Sequence, residues 1–436
     1  TLMNNKTNYF ISLILVFFSF GYFVFGFIVG ENSAGAGGYN GDFLHVWPNL
    51  QIYLNNDLKA AITSQDFYSN RSPLAYIIHK YLNPLTNNQF NYRLSVFFIS
   101  LLIPLLLFLC LRLRYKKVNI LLLSVVTSVV LFSPYVRTSG YWALEENYGI
   151  VSILATYIFY NLFLYKKNNK NINLFFLIFF SSWCIYFDLK LALIPLIVFI
   201  SILFSNEKKI HKLYMIFLYF LFSIPYLFLI YVWGNIFSPQ SQKIHTLESG
   251  LYLDHLVYVV PMLGLYIFPF FFFYKKKFFL LELKKQLLKK FNIIATALFL
   301  LILIYIQFFY KIIILDYGTN MGRGFIYKLG NLMFEDQLYQ KIFFIISSLI
   351  SFVIVLLYLK KNLNNWLIIF YFLILSLVTY PLLQEYFDPL ILLMLLLFFK
   401  IDINFEYKPA YLLYAYFLTM NLFANYYYYD VLKIHQ

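Results

Sequence analysis

The stretch YFISLILVFFSFGYFVFGFIV, Tyr9 to Val29, carries no charge over its whole length. As a helix it is about 30 Å long, the thickness of a bilayer's hydrocarbon core. Lys6 precedes it and the small residues SAGAGG, Ser33 to Gly38, follow it, so a cleaved leader competes as a reading. Secretory apolar regions run to roughly 7–15 residues, and this run is longer, so it reads as a retained membrane span.

Similar runs recur to the end of the chain, broken by short polar pieces. Hydrophobic residues make up 62% of the 436 and charged ones only 12%, which excludes an ordinary soluble protein. The pattern predicts an all-α, polytopic transmembrane protein forming one integral-membrane domain over residues 1–436. About thirteen spans are expected, near 9–29, 93–111, 119–136, 148–165, 172–187, 190–204, 213–233, 256–274, 291–310, 342–359, 366–383, 389–400 and 410–426. Cys110 and Cys184 both fall in or beside apolar runs, where a thiol packs as a small hydrophobe rather than joining a disulfide framework.

With the amino terminus in the cytoplasm, 22 of the 34 Lys and Arg residues fall inside and 12 outside, as the positive-inside rule requires. The acids divide the other way, 4 of 19 inside and 15 outside, giving +18 inside and −3 outside. The overall charge of +15 is therefore a topology signal and an attraction to anionic membrane lipid, not a nucleic-acid footprint. There is no Gly-rich phosphate loop and no room inside for a nucleotide-binding domain, so any chemistry belongs outside.

The longest outer segment is the first, residues 30–92, and it contains GGYNGDFLHVWPNLQIYL, Gly37 to Leu54. Phe43, Val46, Trp47, Leu50 and Leu54 recur there at helical spacing and form a stripe suited to the membrane interface. Asp42 stands just ahead of that stripe, where it can cap the helix or act as a base. Further on, NRSPLAYIIHKYL places Arg71 before Ser72, Pro73 and a second amphipathic helix.

Acid, interfacial helix, basic residue before Pro-Leu and second helix: this order resembles the first outer loop of the GT-C superfamily of polyprenyl-phosphate-sugar-dependent glycosyltransferases, the protein mannosyltransferase and aminoarabinose transferase group. SPYVRTSGYWALEENYGI, Ser133 to Ile150, is similar to their second outer loop, with an arginine and then an acidic pair ahead of a span. The sequence departs from the pattern at Phe43, where many members carry a second acid, and at Arg71-Ser72-Pro73, which stands for Lys-Pro-Pro. The resemblance implies an inverting transfer of sugar from a polyprenyl-phosphate donor to a glycan, lipid or protein acceptor, at the outer face of a bacterial inner membrane. It implies no cofactor. Composition adds that a chain so rich in Ile, Asn, Lys, Phe and Tyr suits an AT-rich bacterial genome.

That chemistry needs a base for the acceptor hydroxyl and cations for the departing phosphate. Asp42 is the expected base, with Glu145 and Glu146 orienting it or the acceptor. Only six arginines occur against 28 lysines, yet four of the six lie outside, against the orientation signal. Arg71, Arg137 and Arg323 are accordingly the expected ligands of the lipid phosphate. Glu31, Tyr39, His45 and Glu385 are candidates for substrate binding. The outer histidines share no metal-ligand spacing, so no metal is expected.

Two other readings compete. An O-antigen-type polymerase or ligase would carry its large outer loops in the middle or late chain, whereas here the largest comes first. A flippase or transporter would bury charges at the midplane, where this sequence has almost none.

Overall fold

The computed structural model describes residues 2–31, 42–165, 168–245, 251–273, 284–285, 287–310, 322–359, 362–379, 382–399, 403 and 405–431. Every regular element among them is helical. Among the described residues eight helices are long and apolar enough to cross a membrane, at Lys6–Ile28, Gln89–Arg114, Glu146–Tyr165, Lys170–Phe187, Lys209–Trp233, Leu253–Phe273, Lys290–Phe308 and Gln337–Leu359. A ninth candidate is a pair, Ile120–Phe132 and Pro134–Tyr141, bent by 67°. Apolar helices at Leu189–Leu203 and Asn364–Val378 are shorter. The chain is a multi-pass helical membrane protein. Many of its large apolar side chains face outward, Phe17 at 73% and Ile28 at 74% exposure among them. That pattern suits lipid as the solvent.

The chain divides into two compact units, one spanning Ile14–Glu248 and the other comprising Thr1–Leu13 with Ser249–Leu432. In chain order the first contains most of α1 (Leu2–Ile28), then α2 (Leu44–Asn55), α3 (Leu58–Thr63), α4 (Leu74–Leu82), α5 (Gln89–Arg114), α6 (Ile120–Ser128), α7 (Pro134–Tyr141), α8 (Glu146–Tyr165), α9 (Lys170–Phe187), α10 (Leu193–Leu203), α11 (Lys209–Trp233) and α12 (Pro239–His245). The second contains α13 (Leu256–Ile267), α14 (Lys290–Phe308), α15 (Gly324–Met333), α16 (Gln337–Leu359), α17 (Leu363–Val378), α18 (Leu390–Leu393) and α19 (Tyr407–Tyr426).

Short polar side chains start the helices of the first unit. Asn88 accepts from the Asn91 amide at the head of α5 and Asn119 from the amides of Leu121 and Leu122 at the head of α6. Ser133 accepts from Val136 with Pro134 in the first turn, which restarts the chain as α7 at a new angle. The bodies of α8, α9, α10 and α11 close over one apolar cluster that includes Phe163, Leu174, Ile178, Val198 and Met215. Cys110 and Cys184 are unpaired and buried, as the sequence predicts.

The stripe on α2 behaves differently from the expectation of an interfacial helix. Phe43, Val46 and Leu50 are buried, and α2 packs on α4 and α3. The stripe is thus used as protein core, because the second amphipathic helix of the same loop supplies a matching apolar face. Two tyrosines near the carboxy terminus are also internal. Tyr427 and Tyr428 are buried with Lys328, whose ammonium bonds the Tyr428 hydroxyl and lies 4.9 and 4.3 Å from the two ring centres.

An ion pair joins the turn that ends α1 to α7. Arg137 is completely buried, with Nε 2.7 Å from Glu31 Oε1 and Nη2 on Oε2, and it also donates to the carbonyls of Leu131 and Tyr22. The guanidinium stacks 4.1 Å from the Tyr22 ring. Gly26 makes room: a Cβ there would overlap Tyr141 Oη, Arg137 Nη2 and Glu31 Oε2. Removing one partner of such a pair strands a buried charge. Arg137→Met is therefore expected to destabilise the protein by about 3–5 kcal/mol, whereas the double variant Arg137→Met, Glu31→Met recovers a large part of the loss. Thermal unfolding in detergent checks this; equal losses for the single and double variants would show the pair to be unimportant.

Candidate active site

The loop that carries Arg71 is fixed from three sides by its own serines and asparagine partners. Asn49 on α2 brackets the Tyr68 peptide, accepting its N–H at 3.0 Å and donating to its carbonyl. Ser238, just ahead of α12, accepts from the Ser69 amide at 2.9 Å and donates to the Phe67 carbonyl at 2.9 Å. Ser72 donates to the Tyr186 carbonyl at the end of α9 at 2.7 Å. Arg71 is thereby held between α8 and α9. Its Nη2 bonds Glu146 Oε1, and its Nε lies 3.7 Å from Asp188 Oδ2. Burial works against the guanidinium's charge, but Glu146 and Asp188 more than offset it and hold its pKa well above the ordinary value.

A second cation shares Asp188. Lys190 Nζ is 2.9 Å from Asp188 Oδ2 and donates to the Tyr135 hydroxyl at 2.9 Å, with the ammonium 4.5 Å from that ring centre. Asp188 closes α9 and accepts from the Lys190 amide through Oδ1 at 3.0 Å, opening the turn Leu189–Ala192. Although burial opposes its ionisation, Lys190 and Arg71 keep the Asp188 carboxyl below its usual range. Gly149 lets this turn approach α8, since a Cβ there would overlap Leu191 Cδ1. One carboxylate thus ties two cations together.

Glu145 and Glu146 follow a tight turn in which Ala143 adopts φ +56°. Glu146 is the first residue of α8, where the helix dipole favours a carboxylate, and Ser139 donates to its Oε2 at 3.4 Å. Glu145 points away into phenols: Tyr76 donates to it, Tyr53 stacks on Tyr76 at 5.8 Å, and Glu145 Oε2 is buried without a hydrogen-bond partner among the described residues. Burial pushes the Glu145 carboxyl up; Arg71 and Tyr76 hold it down, Glu146 and Asp188 add to the rise, and the result is about 7.

Asp42 completes the cluster. It is solvent-accessible and makes no capping bond, the α2 cap position being Phe43 with no side-chain hydrogen bond. Protein nonetheless surrounds its carboxylate on most sides. That partial desolvation, with the negative Glu146, raises its pKa from 3.8 to about 6, against the pull of Arg71 and Lys190. A carboxylate tuned toward neutrality, on an exposed residue and within the electrostatic reach of two cations, is suited to accept a proton.

The residues singled out in the sequence thus separate. Asp42, Arg71, Glu145 and Glu146 belong to one electrostatic network. Glu31 and Arg137 are bound to each other. His45, on α2, has its ring 4.5 Å from that of Tyr68, and burial lowers its pKa. Tyr39 lies outside the described residues, as does the Glu385 side chain. Arg323 belongs to the other unit. There its backbone is left-handed at φ +58°, its N–H bonds the Leu382 carbonyl, and its guanidinium lies 5.4 and 5.0 Å from the Tyr258 and Tyr327 rings. Asp188 and Lys190 were not assigned a role from sequence, where their one signal is a charged pair in an apolar run, Phe187 to Leu193.

Among the described residues no group of three or more His, Cys, Asp or Glu side chains is arranged to hold a metal. No protein-family model, curated protein or solved structure matches this chain.

Proposed function

We propose that this protein is an inverting glycosyltransferase that moves a sugar from a polyprenyl-phosphate donor to an acceptor hydroxyl at the outer face of a bacterial inner membrane. The proposed architecture is GT-C-like, with about thirteen spans: the eight long helices, the bent pair, the two shorter apolar helices and the segments near 389–400 and 410–426. The observation that carries the reading is the juxtaposition of Asp42, raised to about 6, with Arg71 and Lys190. The resemblance of the two outer loops to the GT-C superfamily supports it.

In the proposed reaction the acceptor oxygen attacks the anomeric carbon as Asp42 takes its proton. The bond from that carbon to the phosphate oxygen breaks, and its electron pair leaves with the polyprenyl phosphate, which passes from one negative charge to two. Arg71 and Lys190 meet the added charge. No general acid is required, because the leaving group is already a resonance-stabilised anion. A single base without a glycosyl-enzyme intermediate gives inversion. Glu146 and Asp188 act on the cations and on Asp42 rather than on the substrate. Arg137 is assigned a structural part, since its donors are spent on Glu31 and on carbonyls.

Asp42→Asn is expected to reduce turnover of a polyprenyl-phosphate sugar by about 100-fold or more, with donor affinity little changed. Arg71→Ala and Lys190→Met are expected to weaken donor binding as well as turnover, by about tenfold each or more. Full activity in Asp42→Asn would sink the assignment of the base.

The acid limb of kcat/KM supplies an independent check. A base works unprotonated, so the rate rises with pH through about 6, where Asp42 ionises. Glu146→Gln removes a negative neighbour and should move that limb to lower pH. Arg71→Ala removes a positive one and should move it higher. A limb that stays fixed in both variants, or moves the same way in both, would mean that another group titrates.

A further inference from the structure

The second unit carries a groove that has no part in the proposed chemistry. It has a volume of about 330 Å³ and is lined by Asn8 from the start of α1 and by Tyr407, Lys408, Tyr411 and Leu412 from the first turns of α19. Its wall is built rather than accidental. The Tyr411 hydroxyl donates to the Asn8 carbonyl at 2.9 Å and lies 3.0 Å from Ser12 Oγ, which fastens the two helices side by side. Tyr407 and Tyr411 stand one turn apart with ring centres 6.0 Å apart.

The groove is amphiphilic along its length. Lys408 and Asn8 form a polar end, while Leu412, 43% exposed, continues it as apolar surface. Lys6 is exposed two residues before Asn8, and the exposed Glu406 is the nearest acid in sequence. A cation and tyrosines beside outward-facing apolar side chains match the boundary between headgroups and acyl chains. Under the orientation drawn from the charges, both helix starts lie on the cytoplasmic side, where the loops carry a large positive excess.

We propose that this groove binds one anionic phospholipid, its phosphate on Lys408, its glycerol region against Tyr407 and Tyr411, and one acyl chain along Leu412. An amphiphile satisfies both ends of the groove, whereas a free anion leaves the apolar end uncovered. The site is independent of the glycosyl-transfer reading.

Native mass spectrometry of the full chain released from detergent tests it, with phosphatidylglycerol and phosphatidylcholine of identical acyl chains as probes. Phosphatidylglycerol should be retained in preference, and Lys408→Ala should lower its binding about fivefold, the effect of one lysine near a membrane surface. Lys408→Arg should retain it. Leu412→Asp should weaken it without changing the response to inorganic phosphate. Equal retention of the two lipids, or unchanged phosphatidylglycerol binding in both Lys408→Ala and Leu412→Asp, would overturn the proposal. Displacement of the lipid by millimolar inorganic phosphate would overturn it too, by identifying a site for the free anion.

Discussion

The candidate site depends on the sharing of Asp188 between Arg71 and Lys190, with Glu146 on Nη2 of the same guanidinium. Three distant pieces of sequence meet there: the first outer loop ahead of α4, the start of α8, and the end of α9 with the turn after it. Each ion on its own would be costly to hold among buried groups. Together they satisfy one another, and the outer loop is anchored to two long helices as a result. Ser69, Ser72 and Asn49 fix the loop's backbone, so the position of Arg71 does not rest on the ion pairs alone.

The charge balance bears on the kind of ligand. Asp42, Glu145, Glu146 and Asp188 face two cations, an excess of two carboxylates if all are ionised. Near neutral pH the excess is smaller, because Glu145 is raised to about 7 and Asp42 to about 6. A site so balanced suits a donor of single negative charge, as a sugar phosphodiester is, better than a diphosphate with its additional charge. In the proposed reaction the transition state gains charge at the phosphate while Asp42 loses its own. The cations are thus asked to stabilise a redistribution rather than a net increase.

Much of the framework was legible in the sequence because it rests on local rules. Uncharged runs mark the long helices, and the two amphipathic pieces of the first outer loop are α2 and α4. What was not legible is where each polar side chain spends its hydrogen bonds. Nothing within a short window distinguishes Arg71, which meets Glu146 and Asp188, from Arg137, which is consumed by Glu31 more than a hundred residues away. Asp188 and Lys190 give no local signal of a role because Arg71, which shares Asp188 with Lys190, lies in the first outer loop. The stripe on α2 follows helical spacing whether it faces lipid or protein, so period alone could not choose between the two.

The central claim is direct displacement by an acceptor whose proton goes to Asp42. The measurement closest to it is the anomeric configuration of the product. Purified protein would be given a polyprenyl-phosphate sugar of known configuration and an acceptor alcohol, and the new glycosidic linkage read by its NMR coupling constant. The account predicts a glycoside of opposite configuration to the donor. A product of retained configuration, or no glycoside across a panel of donors with folded protein, would contradict it.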